Sequence, residues 1–218
     1  MNKLGFLFDM DGVIVANHEY HYLAWQQIAA KYGADIDEEF YRLNMNGRTL
    51  TELVEVVFEG RIAGDKVHEI GSEKEKAYRD LYAPHLAPTN GLIDFLESAL
   101  AANIPMVVGT SAPVENVIFT LDGLNIRHYF KGVVDAGMVT KGKPEPEVYL
   151  KSAAMIERSA SDCIVFEDAI SGLKAGQSAG AKTVALATSH KREELFGDMI
   201  IDDFTQIDLD QILNLFKK

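Results

Sequence analysis

The sequence predicts an α/β protein: a doubly wound parallel sheet, with a small all-helical domain inserted after its first strand. Three observations lead there. Short apolar runs recur without polar alternation, as in strands buried on both faces. Segments of helical period lie between most of these runs, and strand–helix–strand repetition is the signature of a doubly wound sheet. Residues 16–86, which follow the first run, carry helical pattern and no strand.

Taken in order, Leu4-Gly5-Phe6-Leu7-Phe8 is the first expected strand. In the segment after it, His21, Trp25, Ile28 and Tyr32 share one helix face. Leu50, Leu53, Val54, Val57 and Phe58 make a second stripe. Val67, Ile70, Ala77 and Leu81 make a third, with Lys74 at the place of its missing member. Pro84, Pro88 and Thr89-Asn90-Gly91 mark a return linker, so the expected division is 1–15 with 87–218 as the α/β core and 16–86 as the helical cap. The remaining strands are expected at Ile104–Val108, Gly132–Val134, Cys163–Phe166 and Thr183–Leu186. The helices between them are expected at Gly91–Ala102, Val114–Leu121, Pro146–Ile156 and Ala169–Ala179.

Composition narrows the partners. With 21 Lys and Arg against 33 Asp and Glu, the net charge is −12, and acids exceed bases in both the cap and the core. That balance lacks the basic footprint that nucleic acid or an anionic membrane surface demands. No apolar run approaches the roughly 20 residues that span a bilayer. Asp9 and Asp11 interrupt the first apolar segment, so no signal-peptide pattern is expected. A single cysteine, Cys163, forms no internal disulfide and reads as a buried strand residue, so a cytoplasmic, reducing compartment is expected. The sequence sets no oligomeric state.

In parallel α/β sheets, ligands bind beyond the carboxyl ends of the strands. There the chain carries Asp9-Met10-Asp11-Gly12, then Gly109-Thr110-Ser111-Ala112-Pro113, and then Glu167-Asp168, with Lys141-Gly142-Lys143-Pro144 between the last two. Singly, each has a bland reading as a turn, a helix cap or a solvated loop. Together, four carboxylates at one sheet edge repel one another unless a cation lies among them. Hard oxygen donors suit Mg²⁺, which also bridges to phosphate. Lys143 supplies a compact positive charge, Thr110 and Ser111 supply hydroxyls, and Pro113 suits the first position of a helix whose amides face the same edge. The combination describes a phosphate-binding site.

Four motifs then stand in order: Phe-Asp-Met-Asp-Gly-Val (8–13), Gly-Thr-Ser (109–111), Gly-Lys-Pro-Glu-Pro-Glu-Val-Tyr (142–149) and Phe-Glu-Asp-Ala-Ile-Ser-Gly-Leu-Lys-Ala-Gly (166–176). With them the sequence resembles, over essentially its whole length, the haloacid dehalogenase superfamily, in its subgroup of phosphatases and β-phosphoglucomutases with a helical cap. The resemblance implies that Asp9 is a nucleophile forming an aspartyl phosphate and that Asp11 is the general acid and base. It implies that Mg²⁺ is held by Asp9, the backbone carbonyl of Asp11 and Asp168, with Glu167 in or beside that shell. It assigns Thr110 and Lys143 to the transferring phosphoryl group, with Ser111 beside them. Dehalogenases and phosphonatases of the superfamily lack an aspartate two residues after the nucleophile; Asp11 therefore favours phosphoryl transfer.

For the cap, the resemblance implies substrate contacts from His21, Arg48 and Lys74. Each also has a plain structural reading: His21 as a core residue, Asn46-Gly47-Arg48-Thr49 as a capping turn, and Lys74 as a snorkelling side chain. Four positions depart from the related patterns: Ala16 and Asn17 after the first motif, Ala112 where the mutases often carry a serine, and Asn46 where a related pyrophosphatase type carries a glutamate. The expected activity is Mg²⁺-dependent hydrolysis of a small phosphorylated metabolite, such as a sugar phosphate. The alternative is a β-phosphoglucomutase, favoured by His21, Arg48 and Lys74 and opposed by Ala112 and Asn17. An inorganic pyrophosphatase or a silent binding module is a further reading; the latter would be signalled by a lost motif carboxylate or lysine, and none is lost.

Overall fold

Each inner position of the central strand is apolar, and the sheet is built around it. The computed structural model describes residues 4–45 and 50–216. The strands are Gly5–Phe8 (β1), Met106–Gly109 (β2), Val133–Val134 (β3), Cys163–Glu167 (β4), Lys182–Leu186 (β5) and Met199–Ile201 (β6). They form one parallel sheet in the order β3-β2-β1-β4-β5-β6. β1 lies at its middle, with Phe8 in register with Val108 on one side and Phe166 on the other.

Period-two alternation sends the side chains of β1 to opposite faces. Leu7 joins Val107, Val165, Val148, Tyr149 and Ala153 in one buried cluster, against Glu147–Met155 (α7). Phe6 and Phe8 point the other way. Phe8 stacks on Phe166 at 4.6 Å between centroids, Phe6 stacks on Phe95 of Leu92–Ala101 (α5) at 5.7 Å, and Phe204 closes the cluster 5.3 Å from Phe95. Ile170–Ser178 (α8) packs against β4 and β5. Both faces are covered, which is why the strands read as unbroken apolar runs.

The chain divides into two compact units, Met1–Ala16 with Ala87–Lys218 and Asn17–Leu86. The described part of the second unit is helical: His18–Lys31 (α1), Glu38–Asn44 (α2), Leu50–Phe58 (α3) and Asp65–Tyr82 (α4). Its core gathers Trp25, Ile28, Val54, Val57, Phe58, Val67 and Ile70. The third stripe needs correction. Ala77 and Leu81 are only half-buried, and α4 instead buries Lys74, Tyr78 and Tyr82. The reason is aromatic packing against α1: Tyr78 stacks on His21 at 3.9 Å and Tyr82 lies 4.7 Å from Tyr20.

Two elements go beyond the sequence expectation. β6 is a three-residue edge strand paired only with β5, too short to show a period. Leu209–Asn214 (α9) is capped by Asp208, whose side chain accepts from the Gln211 amide at 2.8 Å. Pro113 serves as the N-cap of Val114–Gly123 (α6) rather than its first helical residue. No helix among the described residues is long and apolar enough to cross a membrane.

The aromatic layer is the test of this packing. Phe8 is fully buried, so Phe8→Ala leaves a cavity at the centre of the sheet and is expected to lower stability by about 3–5 kcal/mol. Urea unfolding followed by circular dichroism measures it, and a loss below about 1 kcal/mol would contradict the cluster's structural role.

Candidate active site

Because Phe8 registers with both Val108 and Phe166, the chain leaves β1, β2 and β4 at one edge of the sheet. Asp9 follows β1, Thr110 follows β2, Glu167 ends β4 and Asp168 comes next. Asp9, Glu167 and Asp168 are 7%, 0% and 1% exposed, and each offers a carboxylate oxygen within 4.8 Å of the others. Lys143 reaches them from the loop before α7. Its ammonium donates to Asp9 Oδ1 at 2.7 Å and to Glu167 Oε1 at 2.6 Å.

Glu167 is held on every side. Tyr149 Oη donates to its Oε1 at 2.9 Å, and the backbone amides of Asp168 and Ala169 donate to Oε2 at 2.9 Å each. Gly172 of α8 leaves room for it, since a Cβ there would lie 1.6 Å from Oε1. Its bonded neighbours therefore make Glu167 the anchor of Lys143 at least as much as a metal ligand. The phenol of Tyr149 also carries the Lys143 ammonium 5.1 Å above its ring.

The Asp9–Val15 loop is tight. Val13, Ile14 and Val15 amides all approach the Met10 carbonyl, and the Gly12 amide donates to Val15 O at 2.7 Å. Gly12 has φ +80°, where side chains are strained, and a Cβ there would stand 2.0 Å from Asp168 Oδ2. Asp11 sits at half exposure on this loop. Thr110 is buried, its Oγ1 accepting from the Ala112 amide at 3.0 Å, while Ser111 is exposed.

Charge explains the titration behaviour. Burial raises the Asp9 carboxyl well above the usual range, against the pull of Lys143 and with help from Glu167, Asp168 and Asp11. Burial would lower Lys143, but the Asp9 and Glu167 carboxylates hold it above its ordinary value, so it stays charged. Burial and the neighbouring Glu167 keep the Tyr149 phenol protonated, as a donor must be. Three buried carboxylates, two of them bonded to Lys143, make a net negative set of hard oxygens with neither sulfur nor imidazole. Its composition and spacing suit a divalent cation of the Mg²⁺ kind.

Of the predicted residues, the structure brings Asp9, Lys143, Glu167 and Asp168 together and puts Asp11, Thr110 and Ser111 on loops at the same edge. In the helical unit His21 and Lys74 meet: Lys74 Nζ lies 2.7 Å from His21 Nδ1 and donates to Glu75 Oε1 at 2.9 Å. Asn17, at an unusual position for the subgroup, is fully buried with its amide 2.7 Å from Tyr78 Oη. Arg48, with Asn46, Gly47 and Thr49, lies outside the described residues.

Two supporting residues were present in the third motif without a role. One is Tyr149. The other is Glu147, whose carboxylate accepts from the amides of Thr140 (3.0 Å) and Lys141 (2.8 Å) and from Lys151 Nζ (2.6 Å). An acid in the first turn of a helix, just after a Gly-Lys-Pro loop, was the available signal.

Residues 6–186 match the family described as haloacid dehalogenase-like hydrolase. The chain is 32% identical over 180 residues to fructose-1-phosphate phosphatase YqaB of Escherichia coli, covering 83% of this chain and 94% of that protein. It is 29% identical over 212 residues to the β-phosphoglucomutase of Bacillus subtilis, covering 94% and 91%. Among solved structures, a family IA, variant 3 haloacid dehalogenase hydrolase from Entamoeba histolytica superposes with a TM-score of 0.91 at 29% identity, covering 98% of this chain and 99% of that one.

The Glu147 contacts make a pH prediction. Lys151, then the Lys141 and Thr140 amides, lower its carboxyl from 4.5 to about 2. A depressed acid contributes stability that is present above its unfolded pKa and is lost as pH falls through the folded one. Glu147→Ala should therefore melt below wild type at pH 6, with the gap closing between about pH 4.5 and 2. Melting curves across that range check it; a gap independent of pH would contradict the ionic anchor.

Proposed function

The chain belongs to the haloacid dehalogenase-like hydrolase family, and on that premise we propose that it is a Mg²⁺-dependent phosphatase acting on a small phosphorylated metabolite, a sugar phosphate, through an aspartyl phosphate on Asp9. It is an enzyme of the phosphatase and phosphomutase branch, to which its relatives belong. The observation that carries the reading is the buried cluster of Asp9, Glu167 and Asp168 with Lys143 bonded into it.

Asp9, the Asp11 carbonyl and Asp168 would hold the cation, which when bound neutralises the acids and the phosphoryl oxygens. An Asp9 carboxylate oxygen attacks phosphorus as the ester P–O bond breaks, and Asp11 gives its proton to the leaving oxygen. Asp11 then takes a proton from water, whose oxygen attacks phosphorus. The bond to Asp9 breaks, inorganic phosphate leaves and both aspartates are restored. Lys143 stabilises the charge on the transferring group, with Thr110 and Ser111 donating from the neighbouring loop. Substrate choice is assigned in the same reading to His21, Arg48 and Lys74 of the helical unit.

A β-phosphoglucomutase reading is favoured by the similarity to the Bacillus subtilis enzyme over 94% of this chain. It differs in that a sugar hydroxyl, not water, receives the phosphoryl group. Ala112 and Asn17 count against it.

Asp9→Asn should reduce turnover of any accepted phosphate ester at least about 10³-fold; near-normal turnover would sink the nucleophile assignment. Fructose 1-phosphate and β-glucose 1-phosphate, each with Mg²⁺, should yield stoichiometric free phosphate, with glucose 1,6-bisphosphate as the second arm. Glucose 6-phosphate in excess of free phosphate would decide for the mutase.

A further inference from the structure

One short segment outside the four motifs touches both acid-bearing loops. After β5 the chain runs through Ala187, Thr188, Ser189 and His190, tied to β6 by the Ala187 amide on Ile201 O at 2.8 Å. Thr188 Oγ1 donates to the Gly12 carbonyl at 2.5 Å, and Ser189 Oγ donates to the Asp168 carbonyl at 2.9 Å. A serine hydroxyl has one proton. Since that proton goes to Asp168, the 2.8 Å contact between Ser189 Oγ and His190 Nδ1 runs the other way, with the imidazole donating.

Consecutive hydroxyls thus grip the main chain one residue after Asp11 and the main chain of Asp168. The gripped segments are themselves in contact, because the Asp168 carboxylate fills the space a Gly12 side chain would need. Carboxylate oxygens of Asp9 and Asp168 lie within 4.8 Å of one another, and like charges that close favour separation of these loops when no cation lies among them. Mg²⁺ tolerates little error, since it demands near-octahedral oxygens at about 2.0–2.1 Å. A clamp on the main chain limits how far the two loops can separate before the cation arrives.

We propose that Thr188 and Ser189 are positioning residues that set the spacing between the Asp9–Gly12 loop and Asp168, and through it the affinity for a divalent cation. The inference rests on the cation-site reading above. It assigns a function to the β5 loop, which no motif covers.

The test measures Mg²⁺ binding to metal-free protein, by calorimetric titration and by the dependence of the unfolding midpoint on MgCl₂ concentration. Thr188→Val, Ser189→Ala and the double variant should each need more Mg²⁺ for half-saturation, by about tenfold or more in the double variant. Thr188→Ser keeps the hydroxyl and should bind like wild type. Activity against Mg²⁺ should show the same displacement, with kcat at saturating metal less affected. If wild type binds Mg²⁺ and the variants bind within twofold of it, the clamp is overturned while the site reading stands. If wild type binds no Mg²⁺, both are overturned. Should the double variant not fold, Ser189→Ala and Thr188→Ser decide, since only the former should shift the titration.

Discussion

Burying Asp9, Glu167 and Asp168 within 4.8 Å of one another sets the terms for the rest of the core. Each ion removed from water loses several kcal/mol of hydration, and mutual repulsion adds to that. The protein offsets this with one ammonium shared between Asp9 and Glu167 and with two backbone amides on the far oxygen of Glu167. It also accommodates the group sterically, by a glycine in α8 where any side chain would meet the Glu167 carboxylate. What is left uncompensated is negative, and burial first, then the neighbouring acids, raise the Asp9 carboxyl.

Such an arrangement needs rigid strand ends. β1 is flanked by β2 and β4, and Phe8 stacks on Phe166 directly behind the acids. The aromatic layer and the α7 layer fix the two sheet faces, so the residues just past the strands inherit their positions. The Lys143 loop has no such support from the sheet. It is held instead by Glu147 and Lys151 of α7, the latter also reaching the Met138 carbonyl at 2.7 Å.

Much of this was legible in the residues. The strands with non-alternating apolar runs, from Phe6-Leu7-Phe8 to Val184-Ala185-Leu186, stand out because burial on both faces removes polar alternation. The acids and Lys143 stand out because their types and order carry the chemistry. β6 escaped notice because three residues define no period, and its burial comes from β5 rather than from its own composition. In α4 the shift from Ala77 and Leu81 to Tyr78 and Tyr82 was hidden for a related reason. Tyrosine reads as amphipathic, and only the partner helix decides that its ring goes inward. Tyr149, Glu147, Thr188 and Ser189 act through other residues, and support of that kind leaves little mark on local pattern.

The central place of β1 has a consequence for how the chain comes to be folded. β1 pairs with strands that follow it by about 100 and about 160 residues, as the Phe8–Val108 and Phe8–Phe166 registers require. The helical unit, Asn17–Leu86, lies wholly between β1 and both of its partners. Gly5-Phe6-Leu7-Phe8 therefore precedes both of its partner strands in sequence, and closure of the sheet bears the loop entropy of the segments between. A chain that stops before Phe166 has Asp9 and Lys143 but neither Glu167 nor Asp168, so the acid cluster forms only once β4 is in place.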